Sequence, residues 1–217
     1  MTVGGAIADK PSRLVAPSDS IELRGPARTY VSRGGDKLAA ALDHFGIAVH
    51  DRRVLDAGAS TGGFTDCVLQ RGAREVIAVD VGHGQLHERV RTDPRVVVRD
   101  RTNVRTLDAD VIGGPVDLVV ADLSFISLRT VAPALLACTT DQGDLILLIK
   151  PQFEAGRAEA SRGRGVIKDP AIHARVLEEI CAALTELGAN IRGSMESPLT
   201  GADGNREFLV HARAPAT

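Results

Sequence analysis

The sequence predicts an α/β protein in which a doubly wound, mostly parallel sheet of seven strands carries helices on both faces. Short apolar runs alternate with segments whose apolar residues recur every third or fourth position, the pattern of strands followed by helices. The strand-like runs are apolar without interruption, which suits parallel strands covered on both sides. Trp is absent and aromatics make up only 3% of the 217 residues, so Val, Leu, Ile and Ala must fill the core.

Residues 1–30 read as an appendage, with short β-like pieces such as "IEL" at 21–23 set among Gly, Pro and Ser. Residues 31–217 read as the main domain. In "SRGGDKLAAALDHF" (32–45), Leu38, Ala41, Leu42 and Phe45 share one helical face, and Gly46 is a natural stop. Then follow a strand in "RRVLDAG", a helix in "GGFTDCVLQRG", a strand in "REVIAVD" and a helix in "GQLHERVR". "RVVVRD", "VDLVVAD" and "GDLILLIKP" supply further strands, with a helix in "SLRTVAPALLAC". The last helix, "PAIHARVLEEICAALTELG", has Asp169 as N-cap, Pro170 in its first turn and Gly188 at its end. Strands near 190–197 and 206–212 suit a terminal antiparallel hairpin.

Composition excludes several classes. The three cysteines, Cys67, Cys138 and Cys181, are scattered, odd in number and without metal-ligand spacing, which predicts free thiols in a reducing compartment. No apolar run reaches membrane length and no signal-peptide pattern opens the chain, so a soluble, cytoplasmic protein is expected. A net charge of −2 does not mark a dedicated nucleic-acid binder, and any such contact must come from local clusters. His83 and His87 are four apart but lack a third ligand, so no metal is expected.

"VLDAGASTGGFTD" (54–66) stands where the first strand turns into a helix, the place where a nucleotide binds in such sheets. Phe64 replaces the lysine that a P-loop requires, and Ser60 replaces the second glycine of a dinucleotide fingerprint. What remains is Asp56, Gly58, Ala59, Ser60, Thr61, Gly62, Gly63 and Phe64, a D-x-G-x-x-x-G turn similar to the first motif of Rossmann-like methyltransferases. A plain strand-to-helix link stays open for the turn taken alone. Asp80 ends the second strand 22 residues after Gly58, a spacing at which an acid meets ribose hydroxyls. Asp100 ends the third strand, where it suits an adenine amine or a solvated strand end equally. Asp56, Asp80, Asp100 and Asp122 all follow apolar pieces on one sheet edge, favouring a nucleoside over a phosphate.

Lys150 directly follows a buried apolar run, an expensive place for an ammonium unless a carboxylate neutralises it. A strand-end lysine that reaches water is the alternative. A positioned amine suits transfer to a ribose hydroxyl, which is a poor nucleophile near neutral pH. Across residues 31–213 the chain resembles the TlyA or hemolysin-A type of rRNA 2′-O-methyltransferase, a branch of the FtsJ-like enzymes. The resemblance is carried by "SRGGDKL", "LDAGASTGGFTD", "AVDVGHGQL", "RTNVR", "DLVVADLSFISL", "KPQFE", "GVIKDP" and "GNREFLV" in that order. It implies the class I methyltransferase fold, S-adenosylmethionine as cofactor and a cytidine 2′-hydroxyl of ribosomal RNA as substrate, presented as RNA or as a ribosomal subunit. It also implies a Lys-Asp-Lys-Glu tetrad at Lys37, Asp122, Lys150 and Glu207. Cofactor contacts then fall on residues 56 and 58–64, on Asp80 with Val81, on Asp100 with Arg101, and on Asp122. Lys150 would orient and help deprotonate the hydroxyl, with the other three shaping its position.

Such enzymes open with a small RNA-binding module, of which residues 2–23 resemble only the last strands. Basic residues that suit RNA are Lys10, Arg13, Arg24, Arg28 and Arg33, and then Arg157, Arg162, Arg164 and Lys168 in a glycine-rich loop. An ordinary charged loop is the alternative there. Two further functions stay open: a protein that binds cofactor or ribosome without transfer, and a cytolysin. "DLSF" lacks the Pro-Pro-Tyr of base amino-methyltransferases, which favours ribose.

Overall fold

The computed structural model describes residues 2–8, 14–22, 29–156, 159, 165–201 and 203–216. Lys10, Arg13, Arg24, Arg28, Arg157, Arg162 and Arg164 lie outside the described residues. Near the start, β1 (Thr2–Val3) pairs antiparallel with β2 (Ala6–Ile7) and with β3 (Ile21–Glu22) in a small sheet of its own.

The large sheet has the order β6-β5-β4-β7-β8-β10-β9. Its parallel part is β4 (Arg53–Ala57), β5 (Glu75–Val79), β6 (Val96–Arg99), β7 (Val116–Ala121) and β8 (Thr139–Ile149). The terminal strands β9 (Asn190–Glu196) and β10 (Phe208–Arg213) form the expected antiparallel hairpin, and β10 inserts between β8 and β9. The seven strands and both helical layers match the expected class.

Strand alternation divides the core. Val54, Val76, Leu118, Val120, Ile146 and Leu148 face α1 (Arg33–Phe45) and α2 (Gly63–Gln70). Their neighbours Leu55, Ile77, Val119, Leu145 and Leu147 face α4 (Leu128–Ala137) and α6 (Pro170–Glu186). Leu38 and Leu42, fully buried on α1, are large-to-small sites where truncation costs roughly 2–5 kcal/mol. Gly46 closes α1 at φ 66° and Asp169 caps α6 through Ala171 N, both as expected. The helix expected over 84–91 is only the single turn α3 (Glu88–Arg91), because Leu86 turns into the core and His87 caps from outside. A turn, α5 (Pro151–Glu154), follows β8 directly. The three cysteines are unpaired. Among the described residues no helix is long and apolar enough to cross a membrane.

The chain leaves β4 for β5 on one side and later lays β7 on the other. At such a reversal the loops beyond the strand ends part and leave a crevice. The turn after β4, Asp122 after β7 and Lys150 after β8 all open onto it.

Candidate active site

Two clefts meet at that crevice. The narrower, about 180 Å³, is lined by Ser32 and Gly34 at the start of α1, by the 58–64 turn, and by Asp122, Ser124 and Lys150. The wider, about 500 Å³, runs past Asp80, Val81, Asn103 and Val104 to Leu123 and Phe125. They share Gly58, Ser60, Asp122 and Ser124.

The turn explains its own sequence. Gly58 has φ 87°, and a Cβ there would lie 2.6 Å from the Asp122 carbonyl oxygen, so only glycine lets β4 and β7 end side by side. Gly62, at φ 90°, would press a Cβ 2.9 Å from Leu86. Asp80 braces the turn, with Oδ2 accepting from Ser60 N at 2.8 Å and Oδ1 from Gly82 N at 2.7 Å. Its carboxylate forms part of the wider cleft.

Asp56, expected to touch the cofactor, has no exposed surface. The parity of β4 turns its side chain under α2, where it accepts from Thr65 Oγ1 at 2.6 Å. It therefore supports the turn from beneath, and this corrects the contact expected from the motif. Burial raises its pKa to about 7, against hydrogen bonds from Thr65 and with help from nearby Asp122 and Asp80. The folded value lies above the ordinary one, so its stabilising contribution is present below pH ~4 and lost as pH rises through 7, on the order of 4 kcal/mol. Asp56→Asn is expected to flatten the fall in denaturation midpoint between pH 4 and 8 and to exceed the wild type at pH 8. Parallel pH profiles would remove Asp56 as the cause.

Asp100 and Arg101 line neither cleft. Asp100 accepts from Gly84 N and pairs with His83 Nδ1, both at 2.9 Å, and so holds the 81–85 loop. On that side the wider cleft is lined instead by Asn103 and Val104, whose only sequence signal is their place in "RTNVR". Thr61, Gly63 and Phe64 line the narrow cleft, and Val81 the wide one. Arg33 and Lys168 are exposed.

The four tetrad positions form two ion pairs. Lys150 Nζ lies 2.6 Å from Asp122 Oδ1 and donates to Ser124 Oγ at 2.9 Å. Lys37 on α1 pairs with Glu207 just before β10, and both are buried, at 7% and 2% exposure. Phe208 is registered against Ile149, which sets Glu207 beside Lys150 across the sheet. Ser124 was not singled out in advance, nor was Glu154. That buried carboxylate accepts from Ser127 Oγ at 2.5 Å and from Leu128 N at 2.7 Å, tying the segment after Lys150 to the loop after Asp122.

The donor set suits a nucleoside joined to a cationic group. Val81 and Phe125 are exposed apolar walls, Leu123 and Val104 lie between them, and Asp80 offers oxygens for hydroxyls. Asp80 and Asp122 would repel a phosphate and attract a positive centre. Gly34 and Ser32 at the start of α1 line the narrow cleft opposite Lys150.

The FtsJ-like methyltransferase family profile matches residues 30–214. A Mycobacterium tuberculosis protein named 16S/23S rRNA (cytidine-2′-O)-methyltransferase TlyA is 49% identical over 212 residues, 97% of this chain and 79% of that one. A crystal structure from Lactococcus lactis, named a hemolysin, is 42% identical and covers 87% of this chain and 92% of that one with a TM-score of 0.83. The N-methyltransferase NodS from Bradyrhizobium japonicum, in complex with S-adenosyl-l-homocysteine, shares the fold at 16% identity and a TM-score of 0.60 over 88% of this chain and 92% of that one.

Proposed function

We propose, since the chain belongs to the FtsJ-like methyltransferase family, that its two clefts serve S-adenosylmethionine-dependent 2′-O-methylation of ribosomal RNA, with a cytidine ribose as acceptor. The observation that carries the reading is Lys150, held by Asp122 and Ser124 where the clefts meet. In this reading residues 31–217 are the methyltransferase domain, and the small sheet within residues 1–30 belongs to a separate RNA-facing segment.

The wide cleft takes the adenosine, with Asp80 on the ribose hydroxyls, and the narrow cleft takes the amino-acid arm along Ser60, Thr61 and Gly34. The cofactor supplies a methyl group made electrophilic by its attachment to a sulfonium. Asp122 stabilises that positive charge while it holds Lys150. Two directions of the lysine amine are taken by Asp122 and Ser124, and the third meets the acceptor hydroxyl. Lys150 would orient the 2′-hydroxyl and take up its proton, passing one of its own to Asp122, while the bound cofactor would supply the methyl group. Lys37 and Glu207 are positioning residues that fix α1 and β10 around the lysine.

Glu154 sets the distance between the Asp122 and Lys150 loops. Glu154→Ala should lower kcat about tenfold with little change in the KM for cofactor, and Glu154→Gln, whose amide oxygen still accepts from Leu128 N while its NH2 donates to Ser127 Oγ, should restore much of it. A KM effect without a kcat effect would contradict this.

The function itself is tested by incubating the chain with methyl-labelled S-adenosylmethionine and purified ribosomal subunits. Label in the RNA fraction is the expected result. Label only in protein, or in transfer RNA alone, would overturn the reading.

A further inference from the structure

β10 runs from Phe208, opposite Ile149 and the catalytic lysine, to Arg213, opposite Asp144. Five steps of about 3.4 Å put its far end roughly 17 Å from the site. There a groove of about 560 Å³ is formed by His44 and Phe45 of α1, Arg192 and Ser194 of β9, and His211 and Arg213 of β10. The β9–β10 register shifts between His211 and Ala212, which bends the hairpin at this point. Gly193 keeps the floor open, since a Cβ there would come within 3.3 Å of the Phe45 ring.

The groove is organised around one buried carboxylate. Asp144 accepts from Arg52 Nη1 at 2.6 Å and Arg213 Nε at 3.1 Å, and its Oδ1 lies 2.8 Å from His211 Nε2. Burial alone would raise the Asp144 pKa, but the hydrogen bonds from His211, Arg52 and Arg213 outweigh it and hold the carboxyl well below the usual range. Asp144 is thus an anion that fixes two guanidiniums in place. Arg192 is exposed and has no hydrogen-bond or ion-pair partner among the described residues. Two guanidiniums, Arg192 and Arg213, line the groove, while the buried Asp144 carboxylate is already paired with Arg52 and Arg213, so the groove presents positive charge on a chain whose net charge is −2. Beside them the Phe45 ring lies 5.4 Å from the His211 ring, tilted by 46°, and 4.9 Å from the His44 ring, edge-on at 81°, so that aromatic rings form this side of the groove.

Guanidiniums fixed at a groove wall recognise phosphate oxygens, and an aromatic wall beside them accepts a base face. The geometry points to a second RNA-binding groove at the far end of the sheet, holding the phosphodiester backbone of a strand that extends past the catalytic cleft. This rests on the reading of the chain as an RNA methyltransferase. The groove acts in affinity and register, and it takes no part in the transfer itself.

Arg192→Glu combined with His44→Glu tests it without disturbing the Asp144 network. Binding of the full chain to purified bacterial ribosomal RNA is measured across a salt series, beside cofactor affinity and melting temperature. The expected result is RNA binding at least fivefold weaker at about 100 mM salt, with the logarithmic salt slope smaller by about one. Cofactor affinity and melting temperature should stay at wild-type values, and Arg192→Lys should bind like wild type. Equal RNA affinity and equal slope in the double variant would overturn the groove and leave the methyltransferase reading standing. No RNA binding by the wild type would overturn both. A wild-type dimer that the double variant loses, with RNA affinity unchanged, would assign the groove to a second copy and reject RNA there.

Discussion

Replacing Lys150 by methionine should lower methyl transfer by roughly 10²–10⁴-fold while cofactor affinity stays within about twofold of wild type. Methionine keeps the apolar stem that continues the buried end of β8 and removes only the amine between Asp122 and Ser124. The binding surface for the cofactor rests on the 58–64 turn and Asp80, which the substitution does not touch. Loss is therefore expected in kcat, measured by single-turnover transfer to ribosomal RNA, and not in cofactor titration. Ser124→Ala should fall between the two, since it frees one direction of the amine but leaves Asp122 in place. Transfer by Lys150→Met at a wild-type rate would remove the lysine from the reaction.

Glu207→Ala should be among the most destabilising single changes, by about 3–5 kcal/mol, because it strands the buried Lys37 ammonium without its only ion-pair partner among the described residues. For a chain of this length each kcal/mol shifts the melting temperature by about 2–4 °C, so the loss is easily read by thermal denaturation. Lys37→Met combined with Glu207→Leu should recover most of that stability, since a buried pair replaced by apolar groups of similar volume is close to neutral. The double variant is then folded but has lost both groups that fix α1 and β10 around Lys150. Restored stability with depressed transfer is the expected signature of positioning. If the double variant melts as low as the single one, the pair is not what holds this junction.

Much of this architecture is visible in local pattern. The apolar runs and the glycines that end α1, α2 and α6 report strands and helix stops residue by residue. Which strand lies beside which is another matter. The insertion of β10 between β8 and β9 depends on pairing with β8 across roughly 60 residues of sequence, as in Leu209 with Leu148, and no short-range period records it. Asp56 shows a second limit. Its motif suggests a ligand contact, but in a strand one residue of phase decides between the cleft and the underside of a helix.

The candidate site divides in the same way. Asp122 and Lys150 stand out because a charge directly after a buried strand is costly and needs a reason. Ser124 and Asn103 are loop residues and Glu154 ends the short turn α5, and their importance comes only from what they touch. The Lys37–Glu207 pair joins residues 170 positions apart, and from the residues alone neither stands out. Only the family resemblance singled them out before the fold brought them together.

In the proposed function the acceptor is a ribose oxygen at the meeting point of the two clefts. The measurement that tests it most directly is nucleoside mass spectrometry of ribosomal RNA after digestion, following incubation with the chain and isotopically labelled S-adenosylmethionine. Label in 2′-O-methylcytidine, absent with Lys150→Met, is the predicted result. Label carried on a base would rule out the ribose acceptor, and label in 2′-O-methylcytidine that persists with Lys150→Met would rule out the lysine's role.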